Sequence, residues 1–399
     1  MTDKNATNPD ARRRLALAGL GVAAGHPLLT GFSFNWRRML PPRDREIVSG
    51  GKVVVPKDFI GIHMHRWPYQ WRAEDMVSPK PTYRYGTVRS LNYDGVAWRD
   101  IHIDRNEYDF AHLDKWVRFH HEAGKTVMFC FYGTPTRFST RPEQKDPYHY
   151  PGGDSRPKDM EVVNEFITAM VKRYNGDGTR RIQYIDVWNE PDFHGGRYWR
   201  DTSADLAELC RRVYQSAKAV DPGIRVLSPP FNDLFEGPKV FKKIVDWAEA
   251  SDGAGGKGAK WADGMAFHYY HYWDENPVEL LDVIEGMRMT RTAIGREDLD
   301  LYLTEIGENK SWTDLFPSQD AKIKLIKRWL LVGASAGLKM MGLYSHELQH
   351  LGSPAYNPRI SQAIDEMYQL LSGATITDAT LFKDGHVEVS FAVGRKVSV

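Results

Sequence analysis

Two glutamates, each at the end of a strand-like stretch, are the residues of this sequence best placed to do chemistry. Glu190 follows residues 184–188, an apolar run with the length and composition of a β-strand. Pro191 has no N–H and disfavours helical angles at Glu190, so the strand is expected to end there. Glu305 ends a second, alternating stretch over residues 300–305. The two glutamates lie far apart in the chain, so only the fold can bring them together.

A pair of carboxylates that face each other across a cleft suits the cleavage of glycosides. One group must be protonated to help the leaving oxygen depart, and the other must be ionised to attack the sugar or to activate water. The alternative is that Asn189-Glu190-Pro191 is a surface turn without function. The second strand that ends in a glutamate makes this alternative less favourable.

The sequence around these glutamates resembles a known group of enzymes. Trp188-Asn-Glu-Pro191 after one strand and Leu303-Thr-Glu305 after a later one resemble the retaining glycoside hydrolases built on (β/α)8 barrels, most of all glycoside hydrolase family 39 and its relatives. The resemblance implies double-displacement cleavage of β-glycosidic bonds, with Glu190 as general acid/base, Glu305 as nucleophile and no cofactor or metal. It leaves two substrates open, β-xylosides and a bacterial exopolysaccharide.

The resemblance also implies a set of sugar-binding side chains at the carboxyl ends of the strands, where (β/α)8 barrels carry their active sites. Asn189 is expected to bond a sugar hydroxyl, and Arg89 is expected to support Glu305. His268 and Tyr270 lie two residues apart on a strand and therefore face the same way. The other expected sugar contacts are His65, Trp273 and His346.

Structural explanations remain open for several of these residues. Asn189 could close its strand, Arg89 could form an ordinary salt bridge, and His268 could be a core histidine. Many relatives place a tryptophan on strand 8 where this chain has Tyr344, so the resemblance does not define the floor of the sugar pocket.

Predicted strands and helices alternate along the chain from residue 58, and these elements must position the site residues. Eight predicted strands with helical connections indicate a parallel (β/α)8 barrel. A doubly wound open sheet is the alternative, but its usual glycine-rich nucleotide fingerprint is missing after strand 1. The predicted strands are residues 59–65, 85–90, 126–131, 184–188, 224–227, 265–270, 299–304 and 340–345. The predicted helices include residues 113–123, 159–174, 204–220 with Ser203 as N-cap, and 321–334.

The two ends of the chain differ in character from the barrel, which is assigned to residues 58–373. Residues 1–30 join three arginines to a short apolar run, which is typical of a twin-arginine export signal and predicts a periplasmic or secreted protein. A disordered basic tail is the alternative. Residues 31–57 are interpreted as a linker with a short strand at 52–55. Residues 374–399, with a hairpin turn at Asp384-Gly385, are expected to form a small sheet that this short strand joins.

The composition is ordinary for a globular protein, with 399 residues, 42% hydrophobic and 26% charged. The net charge of +1 gives no reason to expect nucleic acid or an anionic membrane as a partner. Carbohydrate is the expected partner, and membrane attachment is expected only through an uncleaved N-terminal segment. Cys130 and Cys210 are interpreted as small buried residues, with a disulfide as the alternative.

Two other classes of function remain as alternatives. His63-Met-His65 also resembles the metal-binding start of amidohydrolase-type barrels, but only His268 fits the further ligands that such sites need. A non-catalytic polysaccharide-binding barrel usually lacks one of the two carboxylates, and both are present here. Exo and endo cleavage both stay open, because the loops at 132–158 and 192–201 shape the cleft.

Overall fold

The computed structural model describes residues 45–49, 51–64, 79–91, 95–147, 149–193, 198–232, 238–271, 277–308, 318–348 and 351–399. The predicted export signal lies outside the described residues. The strands, in chain order, are β1 (Arg45–Ser49), β2 (Val53–Val54), β3 (Ile60–His63), β4 (Thr87–Ser90), β5 (His102–Asp104), β6 (Glu107–Tyr108), β7 (Thr126–Phe131), β8 (Tyr184–Val187), β9 (Arg225–Leu227), β10 (Gly264–His271), β11 (Asp300–Glu308), β12 (Met340–Leu343), β13 (Thr375–Phe382), β14 (Val387–Phe391) and β15 (Lys396–Ser398). The α-helices are α1 (Trp98–Ile101), α2 (Ala111–Glu122), α3 (Glu161–Asn175), α4 (Ser203–Val220), α5 (Pro238–Glu249), α6 (Val278–Ala293), α7 (Gln319–Ser335) and α8 (Pro358–Leu371).

Eight parallel strands form a closed barrel, so the predicted (β/α)8 fold is confirmed. Around the barrel the order is β3, β4, β7, β8, β9, β10, β11 and β12, and β12 pairs with β3 to close the ring. The strands are parallel, so all their carboxyl ends lie at one rim. The strand register sets His63 beside Arg89 and His268 beside Glu305. Residues that are far apart in the chain thus become neighbours at this rim.

The elements differ from the prediction mainly at their ends. β11 runs to Glu308 and pairs with β10 as far as His271, so these two strands are the longest of the barrel. The N-cap of α4 is Thr202 rather than Ser203. The Thr202 hydroxyl accepts a hydrogen bond from the Asp205 N–H, and the Asp205 carboxylate accepts one from the Thr202 N–H. This reciprocal capping box satisfies two backbone donors that Ser203 would leave unpaired.

The barrel interior is apolar in its lower part and polar above it. Five buried side chains from five strands form a small cluster inside the barrel, namely Met128, Leu227, Ala266, Tyr302 and Met340. Side chains two positions apart on a strand point the same way. The next interior layer therefore receives Cys130, His268 and Thr304, and it lies directly below the rim. A separate, larger apolar core contains buried residues of both the strands and the surrounding helices.

A small antiparallel sheet packs beside the barrel against α7. Its central hairpin turns at Asp384-Gly385, where Gly385 has a φ of 83°, so the predicted turn is confirmed. β2 pairs with β13, as expected for the short strand at 52–55. β1 lies in the stretch interpreted as linker, but it pairs with β13 from Arg45 opposite Phe382 to Ser49 opposite Ala379. This part of the linker is therefore a strand of the sheet.

The interpretation of the two cysteines is confirmed. Cys130 and Cys210 are both free and buried, one in a barrel strand and one in α4. Among the described helices, none is both long enough and apolar enough to cross a membrane.

Candidate active site

The strand that carries Glu190 ends in a turn with an unusual backbone. β8 ends at Val187, and Pro191 closes the segment, as the sequence predicted. Pro191 was expected to disfavour helical angles at Glu190, and the φ of Glu190 is 45°, while that of Trp188 is 70°. Positive φ is uncommon for residues other than glycine and persists only where the surroundings enforce it. One such constraint is the Glu190 N–H, which donates to the carbonyl of Pro230 at 3.1 Å.

Trp188 anchors this turn to the neighbouring structure. Its backbone N–H donates to the carbonyl of Phe131 at 2.7 Å, and its indole Nε1 donates to the carbonyl of Tyr198 at 2.7 Å. Its ring packs edge-on against Tyr132 and Trp199, with centroid distances of 5.3 and 4.7 Å. Trp188 is fully buried, so it is a structural support for Glu190 rather than a sugar platform.

The fold brings the two predicted catalytic carboxylates together. One oxygen of Glu190, one oxygen of Glu305 and one ring nitrogen of His268 all lie within 4.8 Å of one another. His268 Nδ1 is 2.8 Å from Glu190 Oε1 and 3.6 Å from Glu305 Oε2. Glu190 is 6% exposed and Glu305 is 3% exposed. Two buried carboxyl groups this close cannot both ionise easily, so the state in which one is protonated and the other ionised is favoured.

His268 lies between the carboxylates as a neutral ring. Burial, together with the charges of Arg89 and His63, lowers the pKa of His268 well below its usual value. Its Nε2 is buried and has no partner among the described residues. An unpaired buried N–H is rarer than an unpaired acceptor, so the hydrogen belongs on Nδ1. Nδ1 then donates to Oε1 of Glu190, and a proton on Glu190 is carried by its other oxygen, Oε2.

Arg89 is the charged centre next to Glu305. Its Nη1 donates to Glu305 Oε1 at 2.6 Å, its Nε donates to Asp186 Oδ2 at 2.5 Å, and its Nη2 donates to Asn189 Oδ1 at 3.0 Å. Burial acts to lower the pKa of Arg89, but the neighbouring acidic groups raise it above its usual value. Arg89 thus stays charged. The contact to Asn189 leaves the Nδ2 group of that amide for another acceptor.

Both carboxylate oxygens of Glu305 accept a strong hydrogen bond. Arg89 occupies Oε1, and the hydroxyl of Tyr270 donates to Oε2 at 2.6 Å. Burial raises the pKa of Glu305, while the Arg89 charge and the Tyr270 hydroxyl oppose this rise. The two donors favour the ionised form of Glu305 and so oppose the effect of its burial. This is the condition that a carboxylate nucleophile needs.

The remaining predicted sugar contacts have different outcomes. His65 and Trp273 lie outside the described residues. Both ring nitrogens of His346 are used within the protein, since Nε2 donates to the carbonyl of Pro79 at 2.9 Å and Nδ1 accepts from the Tyr83 hydroxyl at 2.8 Å. These bonds make His346 a support for neighbouring residues, and they do not favour the expected sugar contact.

Tyr344 stands at the strand-8 position where the resembled enzymes often have tryptophan. Its ring meets those of Tyr270 and His63 edge-on, with centroid distances of 5.8 and 5.3 Å. The peptide bond that follows it, to Ser345, is cis. Tyr344 therefore belongs to the aromatic wall beside Tyr270, close to Glu305.

Asp186 is a further residue of the site that was not predicted from the sequence. It is the only acid within the apolar run at 184–188, and alternation puts it on the same side as Tyr184, which packs against the interior cluster. A buried carboxylate needs a cation or several donors, and Arg89 was the available cation. Burial raises the pKa of Asp186 to about 6, although the Arg89 charge acts to lower it. An acid in the middle of a buried strand was the clue.

The cluster of Glu190, His268 and Glu305 has the residue types of a cation site. A cation bound there would face the guanidinium of Arg89, and both oxygens of Glu305 already accept hydrogen bonds. His63, from the possible metal-binding motif, directs Nε2 to the carbonyl of Thr304 at 2.9 Å. This arrangement favours carboxylate chemistry over metal binding.

Comparison with known proteins agrees with the barrel. No family model matches this chain, and no curated protein sequence matches it. Solved structures do match. A glucosidase from Croceicoccus marinus has a TM-score of 0.61 at 14% identity, covering 88% of this chain and 83% of that one. A family 39 glycoside hydrolase from Bacteroides cellulosilyticus WH2 has a TM-score of 0.54 at 17% identity, covering 86% and 69%.

A third match is the native xylanase 10B from Thermotoga maritima. Its TM-score is 0.51 at 15% identity, and the alignment covers 79% of this chain and 96% of that one. At such identities the similarity establishes a shared fold. The chain therefore has the (β/α)8 fold of these glycoside hydrolases, as the resemblance predicted.

Proposed function

We propose that this protein is a retaining glycoside hydrolase that cleaves β-glycosidic bonds by double displacement. The observation that carries the proposal is the approach of Glu190 and Glu305, with oxygens within 4.8 Å. Retaining enzymes hold their two carboxyl groups ~5–5.5 Å apart, whereas inverting enzymes need ~6.5–9.5 Å to admit a water between them. An approach of one oxygen from each group to within 4.8 Å supports the shorter spacing, and with it direct attack by one carboxylate on the sugar.

In the first step Glu305 attacks the anomeric carbon and forms a glycosyl ester. The bond to the leaving oxygen breaks, and Glu190 gives that oxygen its proton from Oε2. His268 Nδ1 holds Oε1 of Glu190. The protonated oxygen, Oε2, is then the one that faces the leaving group of the sugar. Asn189 accepts a hydrogen bond from Arg89 through Oδ1, and we assign its Nδ2 group to a sugar hydroxyl.

In the second step water replaces the enzyme at the anomeric carbon. Glu305 is neutral as an ester, so Glu190 ionises more readily and accepts a proton from the water. The new carbon–oxygen bond forms on the face from which the leaving group departed, and Glu305 returns to its anionic form between Arg89 and Tyr270. Two inversions give net retention.

We propose a β-linked oligo- or polysaccharide as the substrate, either a β-xyloside or a bacterial exopolysaccharide. The similar structures are a glucosidase, a family 39 glycoside hydrolase and a xylanase, which argues for testing both small glycosides and polymers. The signal-like composition of residues 1–30 supports export to the periplasm or the medium. His65 and Trp273 remain proposed sugar contacts.

Alanine variants of the two glutamates test the roles separately. The assay is hydrolysis of p-nitrophenyl β-xyloside and p-nitrophenyl β-glucoside, with xylan and acidic exopolysaccharides as polymers. Glu305→Ala should be inactive on every substrate, because the attacking group is gone. Glu190→Ala should still release nitrophenol in a burst and then stall. Azide should relieve the stall and yield a β-glycosyl azide.

Glu279→Gln is the matched control, because Glu279 pairs with Tyr269 on the outer side of the strand that carries Tyr270. This variant should keep wild-type activity. NMR of the first product should show the β-anomer. If the first product is the α-anomer, or if both alanine variants keep the activity of the wild type, the proposed mechanism is wrong. If the wild type binds polysaccharides but cleaves none of the panel, a non-catalytic binding barrel is the better description.

A further inference from the structure

Asp186 is a buried acid that is linked to the proposed nucleophile by hydrogen bonds through Arg89. Its Oδ2 accepts from Arg89 Nε at 2.5 Å, while Arg89 Nη1 donates to Glu305 at 2.6 Å. Asp186 and Arg89 are both less than 2% exposed, so water does not screen this contact. The guanidinium is planar and its donors are in a fixed fork, so the bond at Nε also sets the direction of Nη1.

We propose that Asp186 is a positioning residue that holds Arg89 below Glu305 and divides the guanidinium charge between the two carboxylates. This inference rests on the proposed function of Glu305 as nucleophile. A carboxylate loses its charge when it forms the glycosyl ester, so a cation that binds the anion too strongly slows the attack. Asp186 limits this excess stabilisation of the Glu305 anion, and it keeps the donor, Arg89 Nη1, in place.

Among the groups around Glu305, Arg89 and Asp186 determine how strongly the Glu305 anion is stabilised. His268 is held neutral, so Arg89 is the positive charge in contact with Glu305 among the described residues. Arg89 forms ion pairs with Asp186 and Glu305. The titratable and charged side chains that surround Glu305 from the neighbouring strands and their ends are His63, Arg89, Cys130, Asp186, Glu190, His268, Tyr270 and Tyr344.

The first experiment replaces Asp186 with asparagine, which keeps the shape and removes the charge. With one negative charge removed, Glu305 receives more of the Arg89 charge and holds its proton less tightly. The acid limb of the kcat/KM profile for p-nitrophenyl β-xyloside, or for whichever aryl glycoside the wild type cleaves, should move to lower pH by about one unit. The maximal kcat should fall by about tenfold, because the nucleophile is over-stabilised.

Two further variants separate charge from packing. Asp186→Glu keeps the charge, so its acid limb should stay near the wild-type position even if its rate falls. Met128→Leu is the control for interior packing, because Met128 lies in the layer below Cys130 and this change conserves volume. Its acid limb should not move. Asp186→Ser provides a second neutral variant, and it leaves room for water beside Arg89.

A titration that does not need turnover makes the test independent of the proposed function. With glutamate labelled with ¹³C at the carboxyl carbon, the Glu305 signal is identified by its loss in Glu305→Gln, and its pKa is read directly. That pKa should be lower in Asp186→Asn than in the wild type. If the wild type cleaves no glycoside, the proposed function fails, but this measurement still tests the coupling.

The possible results are distinct. A lower Glu305 pKa in both neutral variants, with Asp186→Glu and Met128→Leu unchanged, supports the proposal. An unchanged Glu305 pKa in a folded Asp186→Asn or Asp186→Ser variant overturns it, whatever the activity. If neither neutral variant folds, Asp186 serves the fold and not the reactivity of Glu305, and the proposal is wrong.

Discussion

Replacement of Tyr270 by phenylalanine removes one of the two strong hydrogen bonds to Glu305. The hydroxyl donates to Oε2 at 2.6 Å inside a buried site. A hydrogen bond to a charged group contributes about 1.5–3 kcal/mol, and one pKa unit corresponds to about 1.4 kcal/mol. The bond favours the ionised form, so its loss should raise the pKa of Glu305 by roughly one to two units.

The sign of this change is opposite to that expected for Asp186→Asn. Tyr270→Phe takes a donor away from the anion, whereas Asp186→Asn leaves more of the Arg89 charge to it. The acid limb of kcat/KM should therefore move to higher pH in Tyr270→Phe. At a pH below the wild-type limb, activity should fall by roughly ten- to a hundredfold, because fewer molecules have an ionised nucleophile.

Tyr269→Phe provides the matched control. Tyr269 is the preceding residue on β10, is also buried, and donates to Glu279 at 3.4 Å on the outer side of the barrel. It is the same substitution on the same strand, but it is directed away from Glu305, so the pH profile should not change. An acid limb that stays in place or moves to lower pH in Tyr270→Phe would refute the assignment of Glu305 as the ionised nucleophile.

Three other outcomes follow from the fold and the sequence. A chain that starts at residue 44 should melt at the same temperature as the full chain by calorimetry, whereas a chain that starts at residue 50 should melt lower, because it lacks β1 and its pairing with β13. Asp221→Asn should lower the free energy of unfolding by about 1–2 kcal/mol in urea, because Asp221 accepts from both Arg180 and Asn175. Arg180 holds the pKa of Asp221 down at about 2, so this difference should persist above pH ~4 and shrink as the pH falls from there towards 2. Trp273→Ala should raise KM for polymers without lowering the melting temperature if Trp273 binds sugar, and a large loss of stability instead would mark it as a core residue.

Local sequence patterns were enough to predict the barrel and the two glutamates. Strand-length apolar runs that alternate with helical stretches have few folds that bury them, and a closed parallel barrel is one of these. A parallel barrel gathers the carboxyl ends of all its strands at one rim. Any residue that ends such a run, like Glu190 or Glu305, is therefore directed to the same side of the molecule. Alternation predicted that His268 and Tyr270 face the same way, and the resemblance implied that both face the sugar.

Contacts across the barrel could not be predicted from the sequence. Asp186, Arg89 and Glu305 come from three different strands, and their ion pairs depend on register and strand order. The same holds for His346, whose ring nitrogens form hydrogen bonds with Tyr83 and Pro79. A sequence pattern shows which way a side chain points along its own strand, but it does not show what lies opposite.

The sequence by itself determined which residue types stand at the rim, because proline, alternation and strand length act over a few neighbouring residues. Only the tertiary structure decided how they act together. It determined the approach of Glu190 to Glu305, the placement of neutral His268 between them, and the contacts of Arg89 with both Asp186 and Glu305. Such distances depend on the closure of the whole barrel, since burial makes each charge sensitive to partners that the chain brings from far away.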